Sequence, residues 1–128
     1  MTSHQWTILA LPSRFAICRL EPTAPLPSWS SSDGFCSITR TADEMSIVCL
    51  EQAVPEGTKC EKGWRCLRVA GTIEFSVVGV LAALVTPLAE AGISVLAIST
   101  FDTDYLLVKE KDFEKTVAAL RQQGHMVE

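Results

Sequence analysis

Histidine is nearly missing from this chain of 128 residues, and it contains no Lys/Arg cluster, no long apolar run and no Cys-x-x-Cys pair. Each absence excludes a class of function. Nucleic-acid phosphates require a basic stripe, and a formal net charge of -4 without one argues against such a partner. The longest apolar stretch, Val77 to Val85, is about half the roughly 20 residues needed to span a bilayer. No membrane role is expected. The start, Met1-Thr2-Ser3-His4-Gln5-Trp6, has no basic region, apolar h-region or small-residue cleavage site, so the expected compartment is cytoplasmic. The five cysteines, Cys18, Cys36, Cys49, Cys60 and Cys66, are odd in number, and their spacing fits no zinc site. A catalytic thiol would need a general base, and only His4 and His125 are available, so buried or idle thiols are expected. No acid/base pair, activated nucleophile or metal-ligand spacing can be assembled. Neither an enzyme nor a cofactor is expected.

What is present lies mostly between Ile73 and Val127. Val77, Val78, Leu81, Leu84, Val85 and Leu88 follow a 3.6-residue period, which predicts an amphipathic helix over Ser76 to Ala91. Ser76 is the expected N-cap, Gly92 the expected left-handed terminator, and Pro87 should kink the last turn. Ile93 to Thr100 is apolar on both faces and predicts a central strand. Phe101-Asp102-Thr103-Asp104 reads as a turn, and Tyr105 to Lys109 as the returning strand of an antiparallel hairpin. Asp112 is a candidate N-cap for a second helix carrying Phe113, Val117 and Leu120, with Gly124 at its end. His125 to Val127 is a last short strand. With the Trp64 to Val69 run before it, the segment reads β-α-β-β-α-β, an α+β arrangement. With 48% hydrophobic and 20% charged residues, the chain has enough apolar surface for a core.

The first half is less legible. Thr7 to Ala10 and Phe15 to Leu20 read as two strands joined at Pro12-Ser13, followed by a Pro/Ser-rich loop from Glu21 to Ser32. Phe35 to Thr39 and Glu44 to Leu50 read as two more strands, with room for a helical turn at most between them. Val54 to Lys59 is loop. A boundary near residue 60 follows, giving a strand-rich half over 1–60 and the clearer half over 61–128. Each is close to the size at which a single core becomes marginal.

The second half resembles the ACT domain, a ferredoxin-like small-molecule-binding module. More narrowly, Pro87-Leu88-Ala89-Glu90-Ala91-Gly92-Ile93-Ser94-Val95, followed by Ile98 to Val108 with its Ser-Thr and acidic turn, resembles the subtype shared by aspartate kinases and CASTOR-type cytosolic arginine sensors. The resemblance covers roughly residues 64 to 127 and implies that the first half is a degenerate ACT-like unit. No kinase or dehydrogenase domain is read in the chain, so regulation is expected in trans, on a partner enzyme or signalling protein.

The resemblance also implies a ligand site at the loop after the first ACT strand and at an ACT–ACT interface, and hence a homodimer. The loop is Gly71, Thr72, Ile73, Glu74, Phe75 and Ser76, leading into Val77, Val78 and Gly79. A helix N-terminus exposes unpaired N–H groups and suits an α-carboxylate. Ser99, Thr100, Asp102 and Asp104, with Glu74, are the candidates for holding an ammonium or guanidinium group, which favours a cationic amino acid. Gly79, placed one turn into the helix, would allow close approach of a ligand or partner. Plainer roles stand beside these. Asp102 and Asp104 also serve as turn-formers, Ser99 and Thr100 as strand ends, Gly71 as a strand exit, and Glu74 as a helix-dipole partner. Trp6, Trp29 and Trp64 read as packing residues. The alternative function is a structural interaction module with a vestigial pocket.

Overall fold

A computed structural model describes residues 5–31, 34–74 and 78–128. They form seven strands and two α-helices: β1 (Thr7–Leu20), β2 (Ser37–Arg40), β3 (Met45–Leu50), β4 (Cys60–Val69), α1 (Val80–Glu90), β5 (Val95–Ser99), β6 (Asp104–Lys109), α2 (Phe113–Gln122) and β7 (Met126–Val127). The chain divides into two compact units, 1–12 with 65–128, and 13–64. β1 and β4 each contribute residues to both.

In the larger unit the strand order is β7-β1-β4-β6-β5. β5 and β6 pair antiparallel, with Val95 opposite Val108 and Ser99 opposite Asp104. β7 runs parallel to the start of β1, Thr7 lying opposite Met126 and Ile8 opposite Val127. The expected β-α-β-β-α-β succession is therefore present, with one strand more than the pattern requires. α1 touches α2 and β5, and α2 touches β6 and β7. The core includes Ile8, Leu67, Val69, Leu84, Leu88, Leu106 and Leu120. Val80, Leu84 and Leu88 are the buried stripe of α1, at the i, i+4, i+8 spacing of one helix face.

Two expectations for this unit are corrected. The helix starts at Val80, not near Ser76, because Gly79 stands at its N-cap with φ 84°, a left-handed conformation that interrupts helical backbone. Val78 consequently lies outside the helix and is 91% exposed, although the periodicity counted it in the apolar face. Phe75, Ser76 and Val77, and with them the Ser76 cap, lie outside the described residues. β5 is an edge strand, not a central one: it ends the strand order, and Ala97 and Ser99 are exposed. Gly92 (φ 77°) ends α1 as expected. Asp112 does precede α2, but its side chain makes no capping bond; instead its carbonyl accepts from the Thr116 hydroxyl at 2.8 Å.

The smaller unit has the order β2-β3-β1-β4. Cys18 lies opposite Ile47 and Ala16 opposite Cys49 across the β1–β3 pair. The β2–β3 hairpin closes on Thr41, whose N–H donates to the Glu44 carbonyl at 2.9 Å and whose hydroxyl oxygen accepts from the Asp43 N–H at 3.1 Å. Its core is built on Ala16, Cys18, Met45, Ile47, Cys49 and Val54, with Trp29 packed against it. The two strands expected on either side of Pro12 are one continuous β1, since the fixed φ of proline is compatible with extended backbone.

Candidate functional site

The chain leaves β4 through Gly71, whose φ of 81° makes the strand exit, and runs to α1 past the turn that joins β5 to β6. Two bonds fasten these segments, and a third closes the turn. The Ile73 N–H donates to the Asp102 carbonyl at 2.6 Å, and the Thr103 hydroxyl donates to the Val69 carbonyl at 2.7 Å. The Thr100 N–H donates to the Thr103 carbonyl at 2.8 Å. Thr100 and Thr103 thus hold the turn through their own side chains and backbone, the Thr100 hydroxyl oxygen also accepting from the Thr103 N–H at 3.2 Å. Thr103 is 4% exposed, so its hydroxyl bond is made away from water and counts for more than a surface bond.

The result is a cavity of about 240 Å³ bounded by Ile73 and Glu74 from the loop, Gly79, Val80 and Leu81 from the start of α1, and Ser99, Thr100, Phe101, Thr103 and Asp104 from the end of β5, the turn and the start of β6. Ala83 donates to the Gly79 carbonyl at 2.9 Å as the helical ladder begins. The N–H groups ahead of it in the first turn belong to the four that no helix can satisfy internally, and Gly79 has no side chain to cap them. Across the cavity mouth the Ser99 hydroxyl donates to Asp104 Oδ1 at 2.6 Å, which aligns one carboxylate oxygen and leaves the other available.

Of the residues singled out in the sequence, Ile73, Glu74, Gly79, Ser99, Thr100 and Asp104 meet at this cavity. Gly71, Thr72, Val78 and Asp102 do not line it; Asp102 takes part through its backbone carbonyl alone. Phe75, Ser76 and Val77 lie outside the described residues. Gly79 is not one turn inside the helix but at its N-cap, and a Cβ there would meet nothing within 4 Å. Its glycine is required by φ, not by space. Val80, Leu81, Phe101 and Thr103 line the cavity and were not anticipated as site residues. The first two were assigned to a helix interior, and Thr103 sits between two Asp residues that drew attention as the polar groups of the turn.

A βαββαβ unit is the ferredoxin-like α+β arrangement that ACT domains share. The ligand-free regulatory subunit of aspartate kinase from Thermus thermophilus has the same fold, with a TM-score of 0.66 at 10% identity over 91% of this chain and 95% of that one. The family model for the ACT domain matches residues 59–122, half of the chain, and the chain belongs to the ACT domain family. A second model, described as an N-terminal domain, matches residues 13–57. A crystal structure of a protein from Agrobacterium tumefaciens is 36% identical, with a TM-score of 0.93, covering 98% of this chain and 94% of that one. Among curated proteins, the human cytosolic arginine sensor for mTORC1 subunit 1 is 29% identical over 100 residues, which is 70% of this chain. The chain spans 30% of the length of the curated relatives it matches.

Proposed function

We propose that this chain is a non-enzymatic regulatory protein that binds a free amino acid in the cavity at the start of α1. The observation that carries the reading is the juxtaposition at one cavity of the Ser99–Asp104 pair with a helix N-terminus whose N-cap, Gly79, has no side chain. Unpaired N–H groups and the positive end of the helix dipole suit an α-carboxylate. The carboxylates of Asp104 and Glu74 suit a cation, and among the described lining residues none is basic. Charge complementarity therefore favours arginine or lysine. The size agrees, since 240 Å³ falls below the roughly 300–1,000 Å³ of pockets for drug-sized ligands. A regulatory role, as opposed to an enzymatic one, draws support from relatives named as an arginine sensor and as a regulatory subunit.

In this reading the binding domain is built from residues 61–128 with the start of β1, and residues 1–60 otherwise form the degenerate half. Phe101, 78% exposed on the cavity rim, and Val78, 91% exposed beside the start of α1, are the groups a second copy would cover in a homodimer with the site at its ACT–ACT interface. Ligand binding would then shift that packing and alter contact with a partner enzyme or signalling protein in the cytosol.

The test is thermal unfolding against each of the twenty amino acids at millimolar concentration, for the chain and for Asp104→Ala. A ligand at 100 times its Kd adds about 2.7 kcal/mol, several degrees for a chain of this size. A shift from arginine or lysine that disappears in Asp104→Ala is the expected result. No shift from any amino acid would overturn the sensor and favour an interaction module with a vestigial pocket.

A further inference from the structure

Four of the five cysteines belong to the smaller unit, and they come from neighbouring strands: Cys36 just before β2, Cys49 on β3, Cys18 on β1 and Cys60 at the start of β4. The Cys36 thiol is engaged, donating to the Ser30 carbonyl at 2.7 Å. Cys18 and Cys60 stand in a particular register. The Arg19 N–H donates to the Lys59 carbonyl at 2.9 Å, which sets 19 opposite 59 in the antiparallel β1–β4 ladder. The next pair, Cys18 and Cys60, is then directly opposite at a position without main-chain bonds between the two residues. At such positions the Cα atoms approach to about 4.5 Å, within the roughly 4.4–6.8 Å span of a disulfide. The two thiols are close enough that Cys60 helps to raise the Cys18 pKa.

From this register we propose that Cys18 and Cys60 are a modification site, joined by a reversible cross-strand disulfide when a hydroperoxide oxidises the protein.

Cys49 is the competing partner, since its thiol also reaches Cys18. Cys18 faces Ile47, however, so Cys49 is its diagonal neighbour across β1–β3, at about 7–8 Å, beyond the usual disulfide range. Access also distinguishes the two. Cys60 is half-buried, and with Cys18, Arg19 and Lys59 it lines an open cavity of about 260 Å³, whereas Cys49 is fully buried. The order of events follows. The Cys60 thiolate attacks the terminal peroxide oxygen, the O–O bond breaks, the other oxygen leaves as hydroxide or alkoxide and takes up the proton Cys60 had released, and Cys60 becomes a sulfenic acid. Cys18 Sγ then attacks the Cys60 sulfur, the S–S bond forms, the S–O bond breaks, and hydroxide leaves with the Cys18 proton as water. Overall, two thiols lose two electrons and two protons to one peroxide. Burial pushes the Cys18 thiol up to about 12, so peroxide reacts first at Cys60, and Cys18 still carries the proton that leaves with the hydroxide when the S–S bond forms.

The experiment treats the reduced full-length chain with a modest excess of hydrogen peroxide, followed by non-reducing peptide mapping and thermal unfolding. A linked Cys18–Cys60 peptide is expected, with a Tm raised on the order of 10 °C by closure of the intervening loop and restored by a dithiol reductant. Cys60→Ser should abolish both effects, while Cys36→Ser and Cys49→Ser keep them. A Cys18–Cys49 peptide, or Cys60 driven to sulfinic acid with no linked peptide, would overturn the proposal. Neither outcome depends on whether an amino acid binds at α1.

Discussion

At the scale of single residues, His125 shows how a role can be fixed by a partner remote in sequence. The imidazole is buried, and its Nδ1 accepts the backbone N–H of Trp6 at 3.0 Å, 119 positions away. Only a ring with an unprotonated Nδ1 can accept that bond. Burial lowers the folded-state pKa below the ordinary value of 6.5. The unfolded chain therefore binds more protons than the folded one below pH 6.5, and stability must fall as pH drops through that window. Between about pH 7.5 and about pH 5 the Tm should decline, and His125→Asn, which cannot titrate, should start lower and lose less of its Tm over the same interval. Parallel pH profiles for the two proteins would refute this. The sequence offered His125 only as a residue of the last strand and as one of two histidines available to a thiol. Its actual partner is a backbone group, which no side-chain pattern reveals. Asp102 and Asp104 tell a similar story: two positions apart and alike in charge, they differ in role because the β5–β6 register sets Asp104 opposite Ser99, while Asp102 contributes its carbonyl.

At the scale of elements, helices and strands were legible where periodicity is long, and less so where boundaries depend on one residue. The α1 stripe was readable in Leu81, Leu84, Val85 and Leu88, yet the same period ran on through Val77 and Val78 because hydropathy does not register backbone handedness. Gly79 does. An alanine there would force a Cβ into left-handed backbone, at about 1–2 kcal/mol, even though nothing nearby would clash with it. Gly79→Ala should thus lower the Tm by several degrees, measured alongside the far-ultraviolet helix signal. An unchanged Tm with more helix would mean that α1 re-forms with an earlier start. β5 was misplaced for a different reason. Val95, Leu96 and Ile98 are apolar enough for a central strand, but apolarity says that a surface wants cover without saying what covers it. Within the larger unit no described strand lies beyond β5. The cavity was partly readable on the same grounds: the polar residues Glu74, Ser99, Thr100 and Asp104 stand out, whereas Val80, Leu81 and Phe101 look like packing in any sequence.

At the scale of the whole chain, the match to the ACT domain spans residues 59–122, but the compact unit does not. Ile8, from the other end of the sequence, is fully buried in its core, and β1 stands between β7 and β4. The Ala70 N–H donates to the Thr7 carbonyl at 2.8 Å, and the Glu128 N–H to the Ile8 carbonyl at 2.8 Å. A shortened chain of residues 59–128 should therefore be poorly stable, with unprotected amides in β7, and adding a peptide of residues 5–12 should restore cooperative unfolding. Robust folding of 59–128 alone would show the inserted strand to be dispensable. No local signal foretold this arrangement, since Thr7 to Ala10 reads as a strand whatever it pairs with. The insertion also sets a schedule. The start of β1 must wait for a two-residue strand made more than a hundred residues later, so this sheet cannot be completed until β7 has been synthesised. Refolding should accordingly be slow for a chain of this length, limited by closing that one long loop.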